Sequence, residues 1–186
     1  MLMNWILDAL LTNIKKYETA DPFEIASARH IIIRRVPLGQ TYGFYLKNAR
    51  QQVIHINSDM ESYMHSFVCS HELCHSILHP DANTPFLDKR TLLSKAKIEF
   101  QANLWATFQM LLLRGAEVKI GQTVHQLLRE NGIPDEMASL ITYCNKGPFD
   151  ISVDLSKKQK LLYRGRLDKY GGFPQTQVRM AISNHL

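Results

Sequence analysis

His71-Glu72-Leu73-Cys74-His75 is the stretch on which the reading of this chain turns. Ser58-Asp59-Met60-Glu61, just upstream, matches the S-x-x-E capping box and predicts a helix from there to Leu78 or His79, stopped by Pro80. Met60, Met64, Phe67, Val68 and Leu78 fall on one face of that helix, at steps of three or four, and His71 and His75 fall on the same face. Side chains at i and i+4 project together about one turn apart, so the two imidazoles can bind one tetrahedral Zn²⁺ from a rigid element. Glu72 sits about 100° around the helix, where it can reach a metal-bound water without being a ligand and act as general base. Two imidazoles on a buried stripe need partners, and a metal supplies one.

A catalytic zinc site usually has three protein ligands and one open position. Asp81 occupies the last place of an H-E-x-x-H-x-x-G-x-x-[HD] pattern, but Leu78 stands where that pattern has the glycine that lets the chain turn sharply. Glu99 is the favoured third ligand. It lines up with Ala102, Ala106, Met110 and Leu113 on a helix expected over about Ser94–Arg114, and a carboxylate on an apolar face needs compensation. Ala102 and Ala106 are small enough to let two helices approach closely. Asp81, His79 and Cys74 remain the alternatives. His79, at i+4 from His75, is also a candidate partner to a ligand or a transition-state donor. His55, Tyr45 and Tyr143 are candidate oxyanion stabilisers, against a core or surface role for each.

Outward from this centre, Met3, Ile6, Leu7, Leu10, Leu11 and Ile14 give residues 1–19 a helical apolar face. Asp21-Pro22 opens a short second helix, with proline at a tolerated first-turn position. Ile31-Ile32-Ile33, Tyr42–Leu46 and Gln52–Asn57 read as three strands, the first ended by the Pro37-Leu38-Gly39 turn, and their succession suggests an antiparallel meander. Residues 80–93 read as a loop. Gly115 is the expected left-handed terminator of the Glu99 helix. Two shorter helices are expected over Gln122–Asn131 and Pro134–Asn145, with the first ended by Gly132 and helix-turn-helix proportions overall. Phe149, Ile151, Val153 and Leu155 alternate as a strand would.

The 186 residues are 45% apolar and 21% charged, which suits one main domain with a hydrophobic core and excludes global disorder. The longest apolar runs, such as Met110–Leu113, fall far short of the ~18 residues a membrane span needs. The first residues lack the basic start of a signal peptide, and Asp8 breaks their apolar run. Cys69, Cys74 and Cys144 fit no disulfide framework, so reduced thiols and a cytoplasmic protein are expected. The formal charge of +5 is concentrated: the segment from Ser156 onward carries +6 and the rest −1. A basic tail of this kind can meet nucleic acid or an acidic surface, although a solvated terminus is the plainer reading.

His71–His79 (HELCHSILH) followed by Glu99–Ala106 (EFQANLWA) resembles the ImmA/IrrE metallopeptidases, whose pattern is close to H-E-L-G-H-x-x-L-H and then E-x-x-A-N-x-F-A. Asp21–Ala26 (DPFEIA), Gly43-Phe44-Tyr45 and Ile54–Asn57 (IHIN) resemble further pieces of that family, so that the likeness runs over about residues 18–113. The resemblance implies a zincin-type peptidase with His71, His75 and Glu99 as ligands and Glu72 as the catalytic base. It also implies a protein substrate, typically a helix-turn-helix transcription repressor of a phage or mobile element. Cys74 departs from the family's usual glycine; the two readings of it are a thiolate that competes for zinc and a small buried thiol that fills a helix contact. Met110–Leu113 lacks the family's common Leu-Met-Pro ending.

The expected fold is therefore α+β and zincin-like: a small, mainly antiparallel three-stranded sheet packed with the H-E-x-x-H helix and the Glu99 helix, and further helices after them. The expected organisation is a metallopeptidase domain over residues 1–146, with 120–146 as a candidate helix-turn-helix-like part, and a basic extension over 147–186. The expected function is a zinc-dependent endopeptidase acting on a repressor. The competing reading is a zinc-stabilised module that inactivates a repressor, or binds DNA or protein, without cutting. No membrane partner is expected.

Overall fold

A computed structural model of the chain describes residues 4–80, 84–88, 97–116, 121–141, 151–154 and 160–163. Its first two helices are α1 (Asn4–Tyr17) and α2 (Pro22–Ala28). The Asp21 side chain accepts from the Phe23 N–H and caps α2, with Pro22 in the first turn, as the Asp-Pro pair predicts. Three strands follow: β1 (Ile32–Val36), β2 (Thr41–Asn48) and β3 (Gln51–Asn57). Then come α3 (Met64–Leu78), β4 (Thr84–Asp88), α4 (Lys97–Leu113) and α5 (Val124–Glu130). A 3-10 turn over Asp135–Met137 leads into a helical stretch at 138–141. A hairpin of β5 (Ile151–Asp154) and β6 (Lys160–Tyr163) is the last described element.

The architecture is α+β, and the three expected strands are present in a mainly antiparallel sheet. Their order is β1-β3-β2-β4, so the strands do not form a simple meander: β1 lies parallel to β3, and only the other two pairings are antiparallel. The short 37–40 connection crosses the end of β3 instead of turning back on β1. The Asn57 side chain makes this crossing: it accepts from the Leu38 N–H at 3.2 Å and donates to the Gly39 and Thr41 carbonyls at 3.0 and 2.8 Å. Residues 84–88, expected as loop, add β4 to the edge of β2. Pro85 lacks an N–H for a second neighbour, and an edge strand is where a sheet tolerates it.

The capping-box expectation for α3 is also corrected. Residues 58–63 form turns, Tyr63 precedes the helix without a side-chain cap, and the helix starts only at Met64. Ser58 Oγ bonds Asp59 Oδ1, and the Ser58 N–H that a capping box would offer to Glu61 is donated instead to the Val36 carbonyl at 2.9 Å. The real capping box lies at Thr123 and Gln126, at the start of α5. Gly115 and Gly132 hold φ of 57° and 67°, as expected of residues that end helices. Tyr143, Cys144, Asp81 and the basic segment beyond residue 163 lie outside the described residues.

α3 is the centre of the molecule. The sheet, through β2 and β3, packs on one side of it and α4 on another, with α2 alongside. The principal core joins Tyr45, Ile54 and Ile56 of the sheet to Phe67, Val68 and Leu73 of α3 and Ala106, Met110 and Leu111 of α4. Leu127, Leu128, Ile133 and Met137 belong to that same cluster. A second cluster sets Ile6, Leu7 and Leu10 of α1 against Ala102, Leu104 and Trp105 of α4 and Cys74 of α3. Burying each such aliphatic side chain contributes about 1.5–3 kcal/mol, which anchors a helix that would be marginal alone. Among the described residues no helix is long and apolar enough to cross a membrane.

Candidate metal centre

His71 and His75 sit one turn apart on the α4 side of α3, both fully buried, and Glu99 faces them from the first turn of α4. His71 Nε2 lies 3.1 Å from His75 Nε2 and 3.2 Å from Glu99 Oε2, and His75 Nε2 lies 3.6 Å from Glu99 Oε1. The three side chains offer donor atoms that all fall within 4.8 Å of one another. Two ligands of a tetrahedral ion at the usual 2.0–2.1 Å stand about 3.3 Å apart, so these separations suit one small cation. The donor set, two imidazole nitrogens and a carboxylate oxygen, suits a borderline metal such as zinc. The cluster can hold a metal ion.

Electrostatics favour the metal-binding forms. Burial pushes the Glu99 carboxyl up, but hydrogen bonds from His71 and His75 outweigh it and bring it down to about 2. Its place in the first turn of α4 adds the positive end of the helix dipole. Burial holds His75 below the ordinary imidazole range, so its ring stays neutral and able to donate a lone pair.

Glu72 is 1% exposed and does not belong to the three-residue cluster. It leaves α3 on the β2 side, where its Cγ passes 3.7 Å from the point a Cβ on Gly43 would occupy. Glu72 thus leaves the helix at a different angle from the two histidines, as its place in the motif requires.

The remaining sequence candidates scatter. His79 closes α3, with Nε2 2.7 Å from Gln101 Oε1 and its ring 5.4 Å from that of His75. Tyr45 is buried under α3: its hydroxyl donates to the Pro80 carbonyl at 3.2 Å and accepts from Gln52 Nε2 at 2.7 Å. His55 points to the opposite face of the sheet from Ile54 and Ile56 and stacks on Phe44 at 4.4 Å. The structure therefore does not bring His55 to the cluster. Cys74 packs among Ile6, Leu7, Leu10, Ala102, Leu104 and Trp105, and burial raises its thiol well above the ordinary range. A thiol so placed fills a helix contact.

Two further roles escaped the reading of the sequence, which met Gly43 only as part of a family likeness. Gly43 permits the close approach of β2 to α3. Gln109 is buried at the junction of α3, α4 and the link between α1 and α2. Gln109 shares the helical spacing of Glu99, Ala102 and Ala106, and that spacing was the available signal.

The family model of the IrrE N-terminal-like domain (Peptidase_M78) matches residues 27–120. The chain is 41% identical over 133 residues to "Uncharacterized immunity region protein 2" of Bacillus phage phi105, a match covering 68% of this chain and 82% of that protein. It is 35% identical over 96 residues to "Metallopeptidase ImmA" of Bacillus subtilis (strain 168), a match covering 50% of this chain and 56% of that protein. With the buried His-His-Glu cluster inside the matched segment, the chain belongs to the IrrE N-terminal-like (Peptidase_M78) family and is a metallopeptidase by family.

Proposed function

We propose that this protein is a zinc-dependent endopeptidase that cleaves a helix-turn-helix repressor of a phage or mobile element. The observation that carries the reading is the convergence of His71, His75 and Glu99, with Glu72 on the same helix. The phage immunity-region relative supports a regulatory protein as substrate.

His71, His75 and Glu99 would hold the ion. When bound, zinc would polarise the substrate carbonyl and lower the pKa of its water to about 7. The chain's own residues do the rest. Glu72 takes the proton from the attacking water and hands it to the leaving amine, so one carboxylate serves as base and then acid. Its buried position against β2 keeps that carboxylate from being randomised by solvent. Glu99 supplies negative charge that offsets the ion without needing a proton.

The test begins with metal content. Protein purified without added metal should carry about one zinc per chain, and Glu99→Ala much less. Glu72→Gln should keep the metal and lose the metal-dependent cleavage of the cognate repressor into two fragments. Cleavage retained by Glu72→Gln would refute the mechanism. Zinc bound with no cleavage, alongside tight repressor binding, would leave the non-cutting module. Retention on DNA that falls steeply with salt would instead point to the basic tail.

A further inference from the structure

Metal-bound histidines ordinarily donate their remote ring N–H to a carbonyl or carboxylate, which fixes the tautomer and the aim of the ring. Here Nδ1 of His71 and Nδ1 of His75 are both buried with no hydrogen-bond partner among the described residues. The aim of these rings is therefore set by where the α3 backbone lies against α4, the helix that carries Glu99. One residue of axial slip along a helix is 1.5 Å, whereas a metal site tolerates only a few tenths of an ångström.

Two polar pairs join α3 to α4, one on each side of the two histidines. At one end Ser70, which directly precedes His71, donates from Oγ to Gln109 Oε1 at 2.6 Å. The same oxygen accepts from Trp105 Nε1 at 2.8 Å, and Gln109 Nε2 donates to the Ala20 carbonyl at 2.9 Å. Two donors on the oxygen and an acceptor at the nitrogen leave this amide one consistent orientation. At the other end His79 Nε2 meets Gln101 Oε1 at 2.7 Å, two residues along from Glu99. Ser70 to His79 runs against Gln109 to Gln101, so the helices are antiparallel; the two pairs bracket His71 and His75 along α3, and Glu99 lies two residues beyond Gln101 on α4. Ala102 and Ala106, both fully buried, lie between them and allow the close approach.

We infer that Gln101 and Gln109 are positioning residues of the metal centre: with His79 and Ser70 they staple α3 to α4 in the register that makes His71, His75 and Glu99 converge. The inference rests on the metal-site reading above. It assigns neither glutamine any contact with substrate or metal. It implies a site already formed in the metal-free chain, so that binding energy is not spent on ordering the ligands.

The test uses the full chain, metal-free, with Co²⁺ and Zn²⁺ as probes. Ser70→Ala cuts one staple by removing a single hydroxyl, Gln101→Met cuts the other at similar volume, and the double variant cuts both. Leu128→Ala, in the core of α5, is the control for general destabilisation. Wild type should give the intense visible absorption of tetrahedral Co²⁺, displaced by Zn²⁺. Each single variant should weaken Zn²⁺ binding about 3–10-fold and the double about 10–100-fold, with a weakened and shifted Co²⁺ spectrum. Leu128→Ala should lower the unfolding midpoint at least as much, yet keep affinity and spectrum. Single and double variants that bind as wild type does would overturn the inference, as would an equal loss in Leu128→Ala. Should the double variant not fold, Ser70→Ala and Gln101→Met decide alone. Wild type that takes up neither ion would overturn the metal-site reading and this inference together.

Discussion

Gly43 of β2 and Val68 of α3 meet with no room for a side chain between them: a Cβ on Gly43 would stand 2.6 Å from Val68 Cγ1 and 2.7 Å from the His55 carbonyl oxygen. Val68 lies one turn before Glu72, so this contact sets how closely the strand approaches the proposed base. Gly43→Ala cannot relax by rotating a flexible side chain alone, because one of the obstructing atoms is backbone. The variant should lose about 1–3 kcal/mol of stability through overpacking. It should also lose about 10-fold or more in cleavage rate while keeping its zinc, since the displacement falls on Glu72 and not on the α4 side. Urea unfolding, metal analysis and a cleavage assay check this; a wild-type midpoint and rate would refute the close approach.

Tyr45 offers a sharper distinction between structure and chemistry. Its hydroxyl ties β3, through Gln52, to Pro80 at the end of α3. Tyr45→Phe should therefore cost about 1 kcal/mol of stability. Cleavage by the zinc-loaded variant should stay within about 3-fold of wild type. A loss of about 100-fold or more in kcat with unchanged stability would make Tyr45 an oxyanion donor after all.

The cluster of His71, His75 and Glu99 was legible because its signals are local. An i, i+4 pair of histidines on an apolar stripe, and a carboxylate at helical spacing among alanines, each state a physical conflict that a metal resolves. α1, α2 and α4 were legible for the same reason, since a 3.6-residue period or an Asp-Pro cap sits within a dozen residues. Sheet order was not. Alternation in Ile32–Val36 shows which side chains share a face, but nothing in it shows that the neighbour is β3 and not β2. That choice is made by Asn57, a side chain nineteen residues from its Leu38 partner. The true start of α3 was misread for a similar reason: the Ser58 N–H is donated to the Val36 carbonyl, twenty-two residues away, and the S-x-x-E pattern is left in a turn. Gln109 and Gly43 matter through partners that are distant in sequence, so their residue types alone announced nothing.

Cys69 and Cys74 are both fully buried, and burial raises both thiols well above the ordinary range. The thiolate is the reactive form, so both should resist modification while the chain is folded. Brief exposure to iodoacetamide, followed by peptide mapping, should show each at least about 100-fold slower than in urea. Zinc content should not change on treatment. Rapid native modification of Cys74 with loss of metal would instead place its sulfur at the ion.

The stability of the metal-free chain should fall on acidification in two stages. His75, His79 and His55 are each held below the ordinary imidazole value, chiefly by burial, with His71, His75 and Arg34 respectively adding like charge. Between the lowered values and the unfolded value of about 6.5, the unfolded chain binds more protons than the folded one. Their contribution is therefore complete above about pH 6.5 and lost as pH falls through that window. Glu99 acts further down: its carboxyl is near 2 in the folded chain against an ordinary value of 4.5, so its contribution is present above 4.5 and lost as pH falls toward 2. Zinc needs the same lone pairs that protons take, so the extra stability it confers should shrink across the first stage. Thermal unfolding of metal-free and zinc-loaded protein between about pH 8 and pH 2 measures both stages and the effect of zinc. The metal-free Tm should drop below about pH 6.5, and the gap between the two curves should narrow with it. A metal-free chain more stable at pH ~5 than at pH ~7.5 would mean that the buried imidazoles gain, and do not lose, by protonation.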